Sequence, residues 1–421
     1  MSTLSTWWRR IAVDTSALRD SRDLRALVLG NFVTGLGTQA ALVALPYQLY
    51  TQTGSAFLTG LLGAVELGPL VGMALFGGAI ADRMDRRRLL LFDQIALILI
   101  AGTLAGLSWH GHVPLGLLYL LGALLAGFGA VQNVARSAIV PNLVAPGKLR
   151  SALALNFGLA QLTLVIGPGI GGVLIGLVGV RGAYTADAVS CLAMVAGLLA
   201  MAPQPPHDLG GAGRPTIRAS IGEGLRFVNR APALKGSFAI DLVAMSFGMP
   251  RALFAVLAIS VYHAGAEGTG LLYAAVSAGA TVAALTTGWL TNARWLGRIV
   301  IASVLAWGAA IAMAGLTTSL WLAAACLALA GAADSVSAVC RSTINQSVTP
   351  DAMRGRMSSV FSLVVTSGPR VGDVESGAVA ALAGARFSVV SGGLATIVGV
   401  GAIVLAFPAL AAFDGHAPPA E

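Results

Sequence analysis

Charge is scarce in this chain: Asp, Glu, Lys and Arg make up 10% of its 421 residues, against about 25% in ordinary globular proteins. That shortage excludes a soluble globular domain, because there is too little polar surface to cover the 56% of residues that are hydrophobic. Cysteine is scarce too. Cys191, Cys326 and Cys340 each stand in an apolar stretch with no C-x-x-C spacing, which points to small packing residues and gives no disulfide framework or metal site. Neither H-E-x-x-H nor G-x-S-x-G occurs, and the five histidines (His110, His112, His207, His263, His416) form no cluster, so neither a metalloprotease nor a hydrolase site is present. No cofactor is implied. The formal charge of +8 is dispersed in short clusters between apolar segments instead of along one face, so nucleic acid is not an expected partner.

What the chain does have is long apolar runs. A bilayer core needs about 20 apolar residues per helix, and the polar and Pro/Gly punctuation divides the sequence into twelve such segments, the seventh over 236–262 and the eleventh over 357–381. The expected class is an all-α membrane protein, with twelve transmembrane helices in two six-helix pseudo-symmetric bundles. The first bundle spans 25–202 and the second 236–412, joined by a polar linker over 203–235 and flanked by an N-terminal segment, 1–24, and a tail, 413–421. The N-terminal segment, with Trp7, Trp8, Arg9 and Arg10, is too polar for a cleaved signal peptide and suits a helix lying at the headgroup level.

Positive charge sets the orientation, because Lys and Arg in short loops stay on the cytoplasmic side. Of 26 basic residues, 22 fall in the N-terminal segment, the linker and every second loop. This alternation predicts a multi-pass protein of the plasma (inner) membrane with both termini in the cytoplasm.

The halves repeat. Gly167-Pro168-Gly169-Ile170-Gly171-Gly172 recurs 201 residues later as Gly368-Pro369-Arg370-Val371-Gly372-Asp373. Arg136-Ser137-Ala138-Ile139 recurs as Arg341-Ser342-Thr343-Ile344. Phosphate-cradling glycines need a strand before them and a helix after them, whereas these have apolar flanks on both sides. Two parallel repeats facing one another are the architecture of a carrier with its site at the midplane.

These markers resemble the major facilitator superfamily. Gly78, Asp82, Arg83, Arg86 and Arg87 match that family's loop signature after the second helix, with Asp85 standing where the family has glycine. Gly158, Gly167, Pro168, Gly171 and Gly172 in the fifth helix resemble the signature of its proton-coupled antiporters. Pro168 removes a helix hydrogen bond, and the glycines bare the backbone for close helix packing. Stretches such as Gly270-Leu271-Leu272-Tyr273 and Thr349-Pro350-Asp351 resemble the enterobactin-exporter branch. The resemblance implies a monomeric secondary transporter and not an enzyme, exporting a small amphipathic metabolite such as a siderophore by proton antiport. Its rival reading is a broad multidrug or antibiotic efflux pump of the same fold.

Charges inside the apolar segments are expensive and need a partner or a task. Glu66, Asp241, Arg251, Arg370, Asp373 and Glu375 are such residues and are the expected substrate and proton pathway. Arg370 and Asp373, three apart, share a helix face. A membrane carboxyl without a cation beside it takes up a proton more readily near neutral pH than one next to a guanidinium. Glu66 is therefore the expected proton carrier, and Asp373 a fixed charge. Arg251 and Arg370 would attract an anionic or catechol-bearing substrate, while Arg370, Asp373 and Glu375 would serve equally as a gate-closing network. Asp187 and Asp334, nearer helix ends, are expected to be solvated or to cap loops. Tyr47, Tyr50, Phe247 and Phe254 are placed beside the central cavity by the resemblance alone.

Overall fold

A computed structural model describes residues 20–81, 83–205, 217–350 and 353–415. Asp82, the Trp/Arg stretch at the N-terminus, the middle of the linker and the end of the tail lie outside the described residues. Among the described residues there is helix and no strand. The N-terminal half holds α1 (Arg22–Thr53), α2 (Ala56–Ala81), α3 (Arg86–Trp109), α4 (Leu115–Ile139), α5 (Leu149–Val178) and α6 (Val180–Ala200). The linker contributes α7 (Ile217–Arg230). The C-terminal half holds α8 (Pro232–Phe247), α9 (Leu253–Ser260), α10 (Gly265–Thr286), α11 (Leu296–Leu316), α12 (Leu320–Val348), α13 (Arg354–Ala383), α14 (Ala385–Ala406) and the short α15 (Pro408–Ala411).

Among the described residues, ten helices are long and apolar enough to cross a membrane. The other two expected crossings are the seventh segment, which is broken into α8 and α9, and the eleventh, α13, which carries Arg370, Asp373 and Glu375. The outer surface is apolar, with Leu29, Phe76, Phe92, Leu177, Leu285 and Leu405 all exposed, as a lipid-facing wall requires.

Each half has two apolar clusters, one at each end of its helices. In the N-terminal half, Leu24, Leu90, Ile139 and Leu198 pack at the end nearer the terminus and linker, and Leu45, Leu104, Leu118 and Tyr184 at the other. The C-terminal half repeats this, with Leu234, Val300 and Ile344 at one end and Phe254, Leu272 and Trp307 at the other.

The sequence repeat is also a packing repeat. A Cβ on Gly167 would stand 2.6 Å from Gln39 Cβ, and one on Gly171 would stand 2.7 Å from Ala40 Cα, so α5 lies directly on α1. Their counterparts Gly368 and Gly372 lie against Met245 and Ser246, so α13 lies on α8 in the same way. The next position faces the opposite half in both copies. A Cβ on Gly172 would meet the Ala266 carbonyl oxygen at 2.7 Å and Gly270 Cα at 3.1 Å on α10. Asp373 lies against Gly63 of α2, and Gly377, one turn on, faces Gly60. Only glycine permits such backbone approach.

Around the loop signature, Asp85 caps α3 by accepting the Arg88 N–H at 3.0 Å, and its second oxygen accepts the Gln204 N–H at 2.9 Å. The aspartate that replaces the family's glycine thus closes a helix end, and its φ of −55° makes no demand for glycine. Arg86 donates to the Ala138 carbonyl at 2.8 Å, and Arg87 to the carbonyls of Leu198 and Leu199 at 2.6 and 3.0 Å. The two arginines tie the last turns of α4 and α6 to α3, where cations also complement the helix dipole. Arg83 is exposed, and Gly78 lies inside α2.

Candidate functional site: a central cavity with an unpaired arginine

The break between α8 and α9 follows from Met249-Pro250: proline lacks an N–H, and its ring disfavours helix for the residue before it. Backbone groups freed inside a membrane must find partners in the protein, and here they do. Trp307 Nε1 donates to the Gly248 carbonyl at 2.7 Å, Tyr273 Oη donates to the Arg251 carbonyl at 3.0 Å, and the Ala252 N–H donates to Asp373 Oδ1 at 2.9 Å. These three bonds hold an irregular stretch open at mid-depth, with Arg251 on it.

Arg251 faces a cavity of about 510 Å³ lying between the halves. The N-terminal half lines it with Leu42, Leu45, Leu62, Leu97 and Leu125 together with Glu66 and Asp187; the C-terminal half lines it with Arg251, Tyr273, Arg370 and Asp373. Ser362, Asn133 and Ala74 also line it, so it runs toward the end where α2 and α4 finish and α13 begins. At the opposite end the Gly60–Gly377 and Gly172–Gly270 approaches close it.

Arg370 Nη1 stands 2.5 Å from Glu66 Oε2 and 3.8 Å from Asp373 Oδ2. The shorter contact joins α13 to α2, across the two halves. Glu66 was expected to stand without a cation, but the fold brings it to Arg370 from 304 residues away in the sequence. The Arg251 guanidinium has no ion pair or hydrogen bond among the described residues, yet its side chain is accessible from the cavity.

Asp241 does not line the cavity. It forms a buried ion pair with Arg341 of α12, which also reaches Asp334 at 3.4 Å. Glu375 is half-buried and likewise lies off the cavity wall. Tyr47, Tyr50, Phe247 and Phe254 are absent from the wall too; Phe254 instead packs edge-on against Tyr273 at 4.9 Å, and Tyr273 takes the cavity position. In the glycine signature, a Cβ on Gly158 would meet nothing within 4 Å, Pro168 lies inside α5, and Gly167, Gly171 and Gly172 make the approaches given above. Asp187, expected to be solvated, is 2% exposed and accepts a hydrogen bond from Thr38 Oγ1 at 3.2 Å. Sequence reasoning missed Asp93, also 2% exposed, although a lone aspartate in the apolar run of α3 was a visible signal.

Residues 16–418 match the model of the transmembrane secretion effector family. The enterobactin exporters of Shigella boydii serotype 4 and of Citrobacter koseri are each 29% identical over 379 residues, covering 88% of both chains. Among solved structures, a bacterial homologue of the lysosomal transporter Spinster, inward-facing and unoccupied, superposes with a TM-score of 0.70 at 16% identity, over 92% of this chain and 95% of that one. The nucleoside transporter NupG superposes at 0.73 and 13%, over 91% and 100%. The chain belongs to the transmembrane secretion effector family of the major facilitator superfamily and is a multi-pass membrane transporter.

Proposed function

We propose that this transporter exports a small anionic, amphipathic metabolite of the siderophore class in exchange for protons, by alternating access of a central site. The observation that carries the reading is Arg251, an unpaired cation presented to a cavity by a built break in the seventh segment. A cavity of about 510 Å³ suits a small organic ligand, the usual range being about 300–1,000 Å³, and its leucines take the ligand's greasy face. The enterobactin exporters among its relatives support this substrate class.

The Glu66–Arg370 pair supplies a coupling device. Protonating Glu66 removes the charge that holds Arg370 to α2, freeing Arg370 for Asp373 or for an anionic ligand, and loosening one tie between the halves. The chain works as a monomer in the bacterial inner membrane with both termini in the cytoplasm, as the distribution of its basic residues supports. The cavity in this conformation then opens to the cytoplasm, the loading side for an exporter. Its two units are the bundles before and after the linker.

A multidrug pump is the second reading, favoured by the same leucines. Calorimetric titration of the purified protein separates the two. Losing a desolvated charge contact costs about 2–5 kcal/mol, and about 1.4 kcal/mol is tenfold in affinity. Arg251→Gln therefore weakens enterobactin binding by about 30-fold or more while leaving ethidium, a cation, unaffected. Tighter binding of ethidium than of enterobactin, with no effect of the substitution, would favour the pump.

A further inference from the structure

In the N-terminal half, a layer of buried polar side chains separates the two apolar clusters. On α1, Asn31 and Thr34 fall between Val28 and Ala40, with the exposed Thr38 on the cavity side; on α3, Asp93 and Gln94 fall between Leu90 and Ile100; on α6, Asp187 and Ser190 fall between Tyr184 and Met194. Hydrogen bonds join α1 to α6 here, Thr34 donating to the Ser190 carbonyl at 3.0 Å and Thr38 to Asp187 Oδ1 at 3.2 Å, with Ser190 donating to the Asp187 carbonyl at 2.8 Å, and on α3 Gln94 donates to Asp93 Oδ2 at 3.4 Å. α1 lies hard against α6 here, since a Cβ on Gly37 would stand 2.8 Å from Asp187 Cα. Cys191, one turn beyond Asp187 on α6, is also buried.

Two carboxyls share this layer, and among the described residues neither has a cation partner. Asp93 Oδ1 and both amide atoms of Asn31 are buried with no hydrogen-bond partner. The groups facing the layer are neutral or acidic. α1 contributes its amide and hydroxyls, and α5 carries no charged residue beyond Arg150 at its start. On α6, Tyr184 donates to Gln48 at 2.8 Å and is engaged elsewhere. From α4, Arg136 donates to Asn133 at 2.8 Å and to neither aspartate. Glu66 of α2, the remaining charge on the cavity wall of this half, is held by Arg370.

The C-terminal half sharpens the contrast. There Asp241 and Asp334 both meet Arg341, the repeat counterpart of Arg136. The arginine of this repeat position thus pairs with buried acid in the C-terminal half and with neither aspartate in the N-terminal half. An ionised carboxylate buried without a cation is costly, whereas the neutral acid needs only hydrogen bonds. Asp187 also lines the central cavity, while Asp93 lies seven residues after the start of α3 at Arg86 and seven before Ile100, where the far apolar cluster begins.

We propose that Asp187, with Asp93 behind it, is a proton-binding site of the N-terminal half, distinct from the Glu66–Arg370 pair. A proton from cavity water adds to the Asp187 carboxylate, giving the neutral acid, and leaves again by the same bond. This deepens the antiport reading and rests on it.

The test uses wild-type protein in native membranes and dicyclohexylcarbodiimide, which reacts with buried protonated carboxyls. The acid proton moves to a carbodiimide nitrogen, the carboxylate oxygen adds to the central carbon, and acyl transfer to nitrogen leaves a stable acylurea. Peptide mapping by mass spectrometry is expected to find the acylurea on Asp187 at neutral pH, with labelling lost as the pH rises. Label on Glu66 or Asp373 with Asp187 unmodified at every pH overturns the proposal. In proteoliposomes with enterobactin as probe, Asp187→Asn is expected to lose pH-gradient-driven flux and Asp187→Glu to restore it; flux retained in Asp187→Asn overturns the proposal. Absence of gradient-driven flux in the wild type defeats the antiport reading, and the labelling result then still decides whether Asp187 binds a proton.

Discussion

Two glycines three residues apart in α5 should respond in opposite ways to the same small change. Gly172 faces backbone of the other half, with the Ala266 carbonyl oxygen at 2.7 Å and Gly270 Cα at 3.1 Å from a Cβ placed there, whereas Gly169 meets nothing within 4 Å. Carbon contacts settle at about 3.5–4.0 Å, so Gly172→Ala forces α5 and α10 apart by about 1 Å. Neither neighbour is a flexible side chain that can swing away. Overpacking of this kind costs about 1–3 kcal/mol, and the helix-forming gain of alanine over glycine, about 1 kcal/mol, is common to both conformations and cancels. Because the contact exists only while the halves are closed at this end, the substitution shifts the equilibrium toward the opposite conformation by about 5–150-fold. Spin labels at Gln52 and Leu382, exposed on the two halves at that end, report it by pulsed electron spin resonance in a background without Cys191, Cys326 and Cys340. Gly172→Ala should enlarge the long-distance population and Gly169→Ala should leave it unchanged. An equal response from the two variants would refute the assignment of this contact as a seal.

Two further substitutions test the packing. Arg341→Met leaves Asp241 as a buried, unpaired carboxylate, a loss of about 3–5 kcal/mol, seen as a lower thermal midpoint in detergent; adding Asp241→Leu should recover most of it. Trp307→Phe strips the Gly248 carbonyl of its partner at 2.7 Å, costing about 1–3 kcal/mol in the same assay; an unchanged midpoint would mean that another group satisfies the carbonyl.

Much of the architecture is legible in the sequence because membrane helices are specified by local composition. The apolar runs, the linker and the glycine repeat all lie in contiguous stretches, and the repeat proves to describe packing, with Gly167 and Gly368 each set on the first helix of its own half. The break in the seventh segment was readable in principle from Met249-Pro250, but its consequence, an accessible Arg251, depends on Trp307, Tyr273 and Asp373 from three other helices. Pairing was the least legible property. Periodicity joins Arg370 to Asp373 on one helix, while the shorter contact is to Glu66 in the other half. Asp187 illustrates the converse: nearness to a helix end suggests solvation, but its burial is decided by α1 and by the clusters on either side.

The most direct test of the transport mechanism uses inside-out proteoliposomes with an acidic lumen and enterobactin outside. The mechanism predicts accumulation in the lumen above equilibrium, driven by protons leaving, and its collapse when a protonophore dissipates the gradient. Accumulation that ignores the gradient, or that requires an alkaline lumen instead, would contradict proton antiport through this cavity.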